Sequence, residues 1–182
     1  MKKINPFKID IPAEVISEIK RRVQEYPWHE MPDDGGWEYG VNIDYLRELC
    51  DYWVNEFDWF KQQNKINRYE QFTTHIDEIN LHFIHERGSG QNPKPLLISH
   101  GWPGSIYEFM EIIDKLAHPE RFGGDINEAF SVVAPSLPGF AFSGRPPRPW
   151  GPRKIAHTFN NLMTDVLGYK TYLAQGGDWG GA

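Results

Sequence analysis

The feature that most constrains the fold of this chain is a set of three short apolar runs. They cover residues 96–98, 130–134 and 172–175, and each is followed within three residues by a glycine or a proline. Segments with apolar residues at helical spacing lie between them, most clearly over residues 155–167. Buried strands that alternate with helices predict an α/β fold around a parallel sheet.

Local patterns add two further elements to this core. Apolar and polar residues alternate from Ile79 to Phe83, which predicts a strand, and the preceding pair Asp77-Glu78 suits a hairpin turn. Ser105 and Glu108 have the spacing of a capping box, which predicts a helix that begins at Ser105 and runs to about residue 116.

The first 70 residues differ from the rest because they are rich in aromatic side chains, including four of the seven tryptophans. Helical spacing predicts one helix after Pro12 and a second over residues 46–60, and turn chemistry predicts a loop at residues 33–36. Two helices make a poor core alone, so we expect this segment to wrap against another surface. The expected division is an N-terminal helical and aromatic segment, residues 1–70, and a core over residues 71–182.

Composition and charge argue against several classes of protein. Nineteen basic against 25 acidic residues give a net charge of −6, which does not suit a nucleic-acid partner. Cys50 is the only cysteine, so neither an internal disulfide nor a zinc cluster is available. His82 and His85 would face opposite sides of a strand, so they cannot bind one metal ion together. These residues therefore predict no metal site. The sequence has no membrane-spanning apolar run and no secretory signal, so we expect a soluble, cytoplasmic protein with no membrane anchor.

The third apolar run leads into Gly176-Gly177-Asp178-Trp179-Gly180, the pattern of a nucleophile elbow with a carboxylate in the nucleophile position. A serine that attacked a saturated carbon would form an ether, whereas a carboxylate forms an ester that water can hydrolyse. The pattern therefore predicts Asp178 as a nucleophile towards an epoxide or a carbon–halogen bond. The alternative is that Asp178 is an N-cap in a glycine-rich turn.

A second loop follows the first apolar run and would reach the same edge of the sheet. In folds with such an elbow, this loop and the residue after the nucleophile each supply one backbone N–H to an oxyanion hole. The donors here would be the N–H groups of Trp102 and Trp179. The residues that would support this geometry are His100, Gly101, Pro103, Gly176 and Gly180.

The sequence resembles the epoxide hydrolases of the microsomal and juvenile-hormone type and their microbial relatives. The matching segments span nearly the whole chain: residues 36–40 (GWEYG), 52–72, 81–88 (LHFIHERG), 100–105 (HGWPGS), 134–144 (APSLPGFAFSG), 167–169 (LGY) and 175–181 (QGGDWGG). The resemblance implies the first half of an α/β-hydrolase fold, with Asp178 as the nucleophile and Trp102 and Trp179 as the oxyanion residues. It implies a hydrophobic epoxide and water as the reactants and no cofactor.

One departure from the family pattern matters. A general-base histidine should follow the nucleophile in the chain, but all seven histidines precede Asp178. We therefore expect a truncated form that is inactive or limited to a single turnover. The alternatives are a hydrolase similar to haloalkane dehalogenases, against which the N-terminal segment argues, and a non-catalytic fragment.

Overall fold

A computed structural model describes residues 3–30 and 36–182 of the chain. It divides into two compact units, Met1–Lys8 with Ile66–Ala182, and Ile9–Lys65. Among the described residues, none of the helices combines the length and apolarity needed to cross a bilayer.

A six-stranded sheet forms the centre of the larger unit, in the order β1-β2-β3-β5-β4-β6. The strands are β1 Ile4–Phe7, β2 Gln71–Ile76, β3 Ile79–Glu86, β4 Lys94–Ser99, β5 Phe130–Pro135 and β6 Leu173–Gly176. β4 pairs in parallel with β5 and with β6, whereas β1, β2, β3 and β5 form antiparallel pairs. The prediction of an α/β fold is confirmed, but the sheet is mixed and not uniformly parallel.

The β2–β3 hairpin explains why the sheet is mixed. Its turn is formed by Asp77 and Glu78 with φ angles of 48° and 74°, the left-handed values that match the twist of a two-residue hairpin. β3 then lies antiparallel to β5, with Phe83 opposite Pro135. A hairpin reverses the chain locally, so only the later strands, which are joined by helical connections, can run parallel.

The helical segments of this unit are less regular than their sequence patterns predict. Ser105 does form a capping box with Glu108, but the helix it opens is a 3₁₀ turn, Ile106–Phe109, and α-helical structure resumes only at Ile113–Ala117 (α4). The segment predicted over residues 155–167 is the α-helix Pro152–Asn161 (α5), which continues as a π-helical turn, Leu162–Val166. Gly168, with φ of 78°, ends it as expected.

The core of this unit lies between the sheet and α5. Phe159, Leu162 and Met163 from the α5 region pack against strand residues that include Leu81 and Phe83. Burying side chains of this size stabilises the fold by roughly 1.5–3 kcal/mol each. This packing positions the ends of β4 and β6, from which the candidate site extends.

The smaller unit consists mainly of helices. They are α1 Ala13–Gln24, α2 Ile43–Asn55 and α3 Trp59–Ile66, whose last residue lies in the larger unit. The single helix predicted over residues 46–60 is thus two helices, and Asp58 caps the second by accepting a hydrogen bond from Lys61 N–H at 3.0 Å. Of the loop predicted at residues 33–36, only Gly36 belongs to the described residues. The expected division into an N-terminal segment, residues 1–70, and a core, residues 71–182, stays a prediction.

Candidate active site

Asp178 lies directly beyond β6, on a turn with left-handed backbone. Its φ angle is 54°, a left-handed value that is uncommon for residues other than glycine. Gly177 holds the N-cap position of the short turn Asp178–Gly181, and no side chain caps that turn. Asp178 is therefore the first residue of the turn, which disfavours the alternative reading of it as an N-cap.

The close approach of Gly180 to β4 explains the glycine at that position. A Cβ at residue 180 would lie 2.2 Å from the Ser99 carbonyl oxygen and 2.6 Å from that of His100. Such distances are impossible without a backbone shift. Gly176, the last residue of β6, pairs with Ser99, so the elbow and the loop after β4 leave the sheet side by side.

The Asp178 carboxylate contacts both predicted oxyanion residues through their backbone. Trp102 N–H donates a hydrogen bond to Asp178 Oδ1 at 2.9 Å. The hydrogen bonds from the backbone N–H groups of Trp102 and Trp179 lower the pKa of the Asp178 carboxyl, because they stabilise its ionised form. The carboxylate is therefore charged at neutral pH, which is the state a nucleophile requires.

Gly101 lies directly against this carboxylate. A Cβ at residue 101 would lie 2.6 Å from both Cβ and Oδ1 of Asp178, so the absence of a side chain there lets Asp178 approach the loop. Pro103 completes the loop through a cis peptide bond with Trp102. The structure thus brings together Asp178, Gly101, Trp102 and Trp179.

His100 is buried beneath the loop, with 1% of its surface exposed. Its Nδ1 lies 2.9 Å from the Gly101 carbonyl oxygen, and its Nε2 lies 3.0 Å from the backbone nitrogen of Leu137. Both ring nitrogens therefore have backbone partners. Sequence reasoning included His100 only as support for the loop and did not find its contact with Leu137.

An apolar cavity of about 660 Å³ adjoins the site. It borders Trp102 and Trp179, and its wall includes Leu137, Phe140 and Trp150. Sequence reasoning did not assign these wall residues to the site, because nothing in their local pattern distinguishes them from ordinary loop or core positions.

The other candidate residues lie apart from this constellation. His82 is bonded to Gln71 and Ser136, and His85 to Tyr169, so each has a separate set of partners. Within residues 3–30 and 36–182, no group of three or more His, Cys, Asp or Glu side chains is arranged to hold a metal ion.

Comparison with known proteins identifies the family. The family described as "Epoxide hydrolase N terminus" matches residues 4–109, more than half of the chain, and the one described as "alpha/beta hydrolase fold" matches residues 94–182. The chain belongs to the epoxide hydrolase N terminus family. The resemblance inferred from the sequence is therefore confirmed, and the fold is the α/β-hydrolase fold.

Individual members of the epoxide hydrolase family agree with this result. A putative epoxide hydrolase of Stigmatella aurantiaca is 40% identical over 97% of this chain, and epoxide hydrolase 1 of Sus scrofa is 38% identical over the same share. The crystal structure of juvenile hormone epoxide hydrolase from the silkworm Bombyx mori matches 99% of the chain with a TM-score of 0.88 and 36% identity. The chain spans about 40% of the length of these curated relatives and 43% of the silkworm structure.

Proposed function

We propose that Asp178 is the nucleophile of an epoxide hydrolase and forms an alkyl-enzyme ester on the way from an epoxide to a vicinal diol. The observation that carries this proposal is the 2.9 Å hydrogen bond between Trp102 N–H and Asp178 Oδ1. This hydrogen bond favours the charged form of the carboxylate. It also places the Trp102 N–H beside the oxygen on which negative charge would develop in the second step.

In the first step, the Oδ2 atom of Asp178 attacks a carbon of the three-membered ring. A bond forms between Oδ2 and that carbon, the C–O bond at that carbon breaks, and the ring oxygen, still bonded to the other ring carbon, becomes an alkoxide that takes up a proton from water. Oδ1, which accepts the hydrogen bond from Trp102, becomes the carbonyl oxygen of the ester.

In the second step, water adds to Cγ of the ester and negative charge develops on Oδ1. The backbone N–H groups of Trp102 and Trp179 stabilise that charge, and donors of this kind contribute about 3–4 kcal/mol each. Collapse of the intermediate releases the diol and restores the carboxylate, which retains the oxygen of the attacking water. The two reactants are an epoxide and water, and this route uses no cofactor.

The step needs a group that removes a proton from the attacking water. His100 adjoins the site, but its two nitrogens are bonded to the Gly101 carbonyl and the Leu137 N–H. We therefore assign His100 no part in activating water.

The cavity beside the elbow supports an apolar substrate. Leu137, Phe140 and Trp150 contribute apolar walls, and large apolar side chains bind ligands by excluding water from them. The family match over residues 4–109 favours an epoxide over a haloalkane as the electrophile.

A comparison of two aspartate variants tests the proposal. Asp178→Asn removes the nucleophilic charge while keeping the size of the side chain, so we expect the loss of an apolar epoxide, measured by chromatography with the protein in molar excess, to fall to the rate without protein. Asp165→Asn is the matched control, because Asp165 is exposed and its Oδ1 accepts a hydrogen bond from the neighbouring Thr164 hydroxyl. Equal rates for Asp178→Asn and the unmodified protein would contradict the proposal.

A further inference from the structure

One peptide unit of the site is held at both of its ends. The peptide between Gly101 and Trp102 contains the Gly101 carbonyl and the Trp102 N–H in a single plane. The Trp102 N–H points at Asp178 Oδ1, and the Gly101 carbonyl oxygen lies 2.9 Å from His100 Nδ1. Rotation of this plane would therefore break both contacts together.

The backbone partners of His100 determine which of its nitrogens carries the proton. A carbonyl oxygen can only accept, so Nδ1 must donate to Gly101. A backbone N–H can only donate, so Nε2 must be unprotonated to accept from Leu137. With 1% exposure, the residue is shielded from water, which therefore does not replace either backbone partner.

We propose that His100 is a positioning residue, whose Nδ1–H orients the Gly101–Trp102 peptide so that the Trp102 N–H faces the Asp178 carboxylate. A hydrogen bond to the carbonyl also polarises the peptide and strengthens its N–H as a donor. The contact from Leu137 selects the tautomer that makes this possible. The consequence for ester hydrolysis rests on the proposed function of Asp178, whereas the orientation of the peptide does not.

Two amide variants distinguish the contact of Nδ1 with Gly101 from the contact of Nε2 with Leu137. The amide nitrogen of Asn can occupy the position of Nδ1 and keep the bond to the Gly101 oxygen, so His100→Asn retains the orienting contact. His100→Gln extends its amide to the position of Nε2 and loses that contact. His85→Gln is the control, because it removes another buried histidine, one that bonds Tyr169 instead of the loop.

The tests read the resting protein by NMR. In the unmodified protein, we expect the His100 ring to be protonated at Nδ1 only, and a ring protonated at Nε2 would overturn the proposal without any variant. In His100→Gln, we expect the Trp102 amide resonance to move and the pKa of the Asp178 carboxyl to rise. In His100→Asn and His85→Gln, we expect the Trp102 resonance and this pKa to match those of the unmodified protein. A His100→Gln protein with an unchanged Trp102 resonance would also overturn it.

A kinetic measurement connects this geometry with the proposed function. We expect His100→Gln to slow the hydrolysis of an Asp178 ester by at least about tenfold, and His100→Asn to restore most of the rate, since an oxyanion donor that is lost completely costs about 10²–10³. Ester hydrolysis that is as fast in His100→Gln as in the unmodified protein would overturn the proposal. A failure of Asp178 to form any ester would instead refute the proposed function and leave the NMR result standing.

Discussion

Asp178 Oδ1 and the backbone nitrogen of Trp102 lie 2.9 Å apart, although 76 residues separate them in the chain. The sheet brings them together, because β4 and β6 are parallel neighbours in which Ser99 pairs with Gly176. Each loop leaves its strand at the same edge of the sheet. The donor and the carboxylate are thus in place without any rearrangement, which is the condition under which such groups stabilise a transition state most effectively.

Gly180→Ala tests the close approach of the elbow to β4. The added Cβ would lie 2.2 Å from the Ser99 carbonyl oxygen, so the backbone must shift, and we expect the free energy of unfolding to fall by at least about 2 kcal/mol. Gly177→Ala is the control, because its Cβ would meet no atom of the described residues within 4 Å apart from those of residue 177 and its two chain neighbours. Denaturant unfolding of the two variants measures the difference, and equal stabilities would contradict this account of the turn.

Gly101→Ala tests the approach of the carboxylate to the loop. Its Cβ would overlap Cβ and Oδ1 of Asp178, so we expect the nucleophile to be displaced and the rate of epoxide opening to fall by about 100-fold. Gly151→Ala adds a methyl group that would meet, in the described part of the chain, no atom within 4 Å beyond residue 151 and its two neighbours, and it should leave the rate within about twofold. The single-turnover loss of one epoxide, with the protein in molar excess, measures both rates. A Gly101→Ala protein as active as Gly151→Ala would show that this contact is unimportant.

The buried His82 predicts a loss of stability in acid. Burial lowers the pKa of His82 from 6.5 to about 4, so the unfolded chain binds a proton between these pH values that the folded protein does not. The free energy of unfolding therefore falls as the pH drops from 6.5 towards 4, by about 3 kcal/mol for this group. Above pH 6.5 the contribution is complete, and below pH 4 no more is lost.

Urea unfolding at several pH values between 7.5 and 4 measures this dependence. We expect His82→Gln to reduce the pH dependence between 6.5 and 4, while the exposed His75, replaced by Gln, should not change it. The pKa of His85 is also lowered to about 4, first by burial and then by Arg87, so part of the dependence remains in His82→Gln. An unchanged slope in His82→Gln would contradict the assignment.

The elements that could be predicted from the sequence are those with a local cause. The glycines around Asp178 and the loop at His100–Pro103 are short patterns, and the structure brings Asp178, Trp102 and Trp179 together as those patterns predict. The hairpin turn at Asp77-Glu78 likewise follows from its position between two strands.

The elements that could not be predicted depend on contacts between distant segments. β1 carries a proline and has no buried residue, so Ile4–Phe7 gives no strand pattern and exists because it pairs with β2. The antiparallel pairing of β3 with β5 is equally invisible in either strand alone. The contact between His100 and Leu137 joins residues 37 positions apart, and no local pattern indicates it.

The most direct test of the account is to look for the ester itself. The protein is mixed with an excess of an apolar epoxide, quenched in acid during turnover, digested, and analysed by mass spectrometry. We predict that the peptide containing Asp178 gains the mass of the epoxide, that fragmentation assigns the addition to Asp178, and that Asp178→Asn shows none. The absence of any addition at Asp178, or an addition on another residue instead, would contradict the central claim.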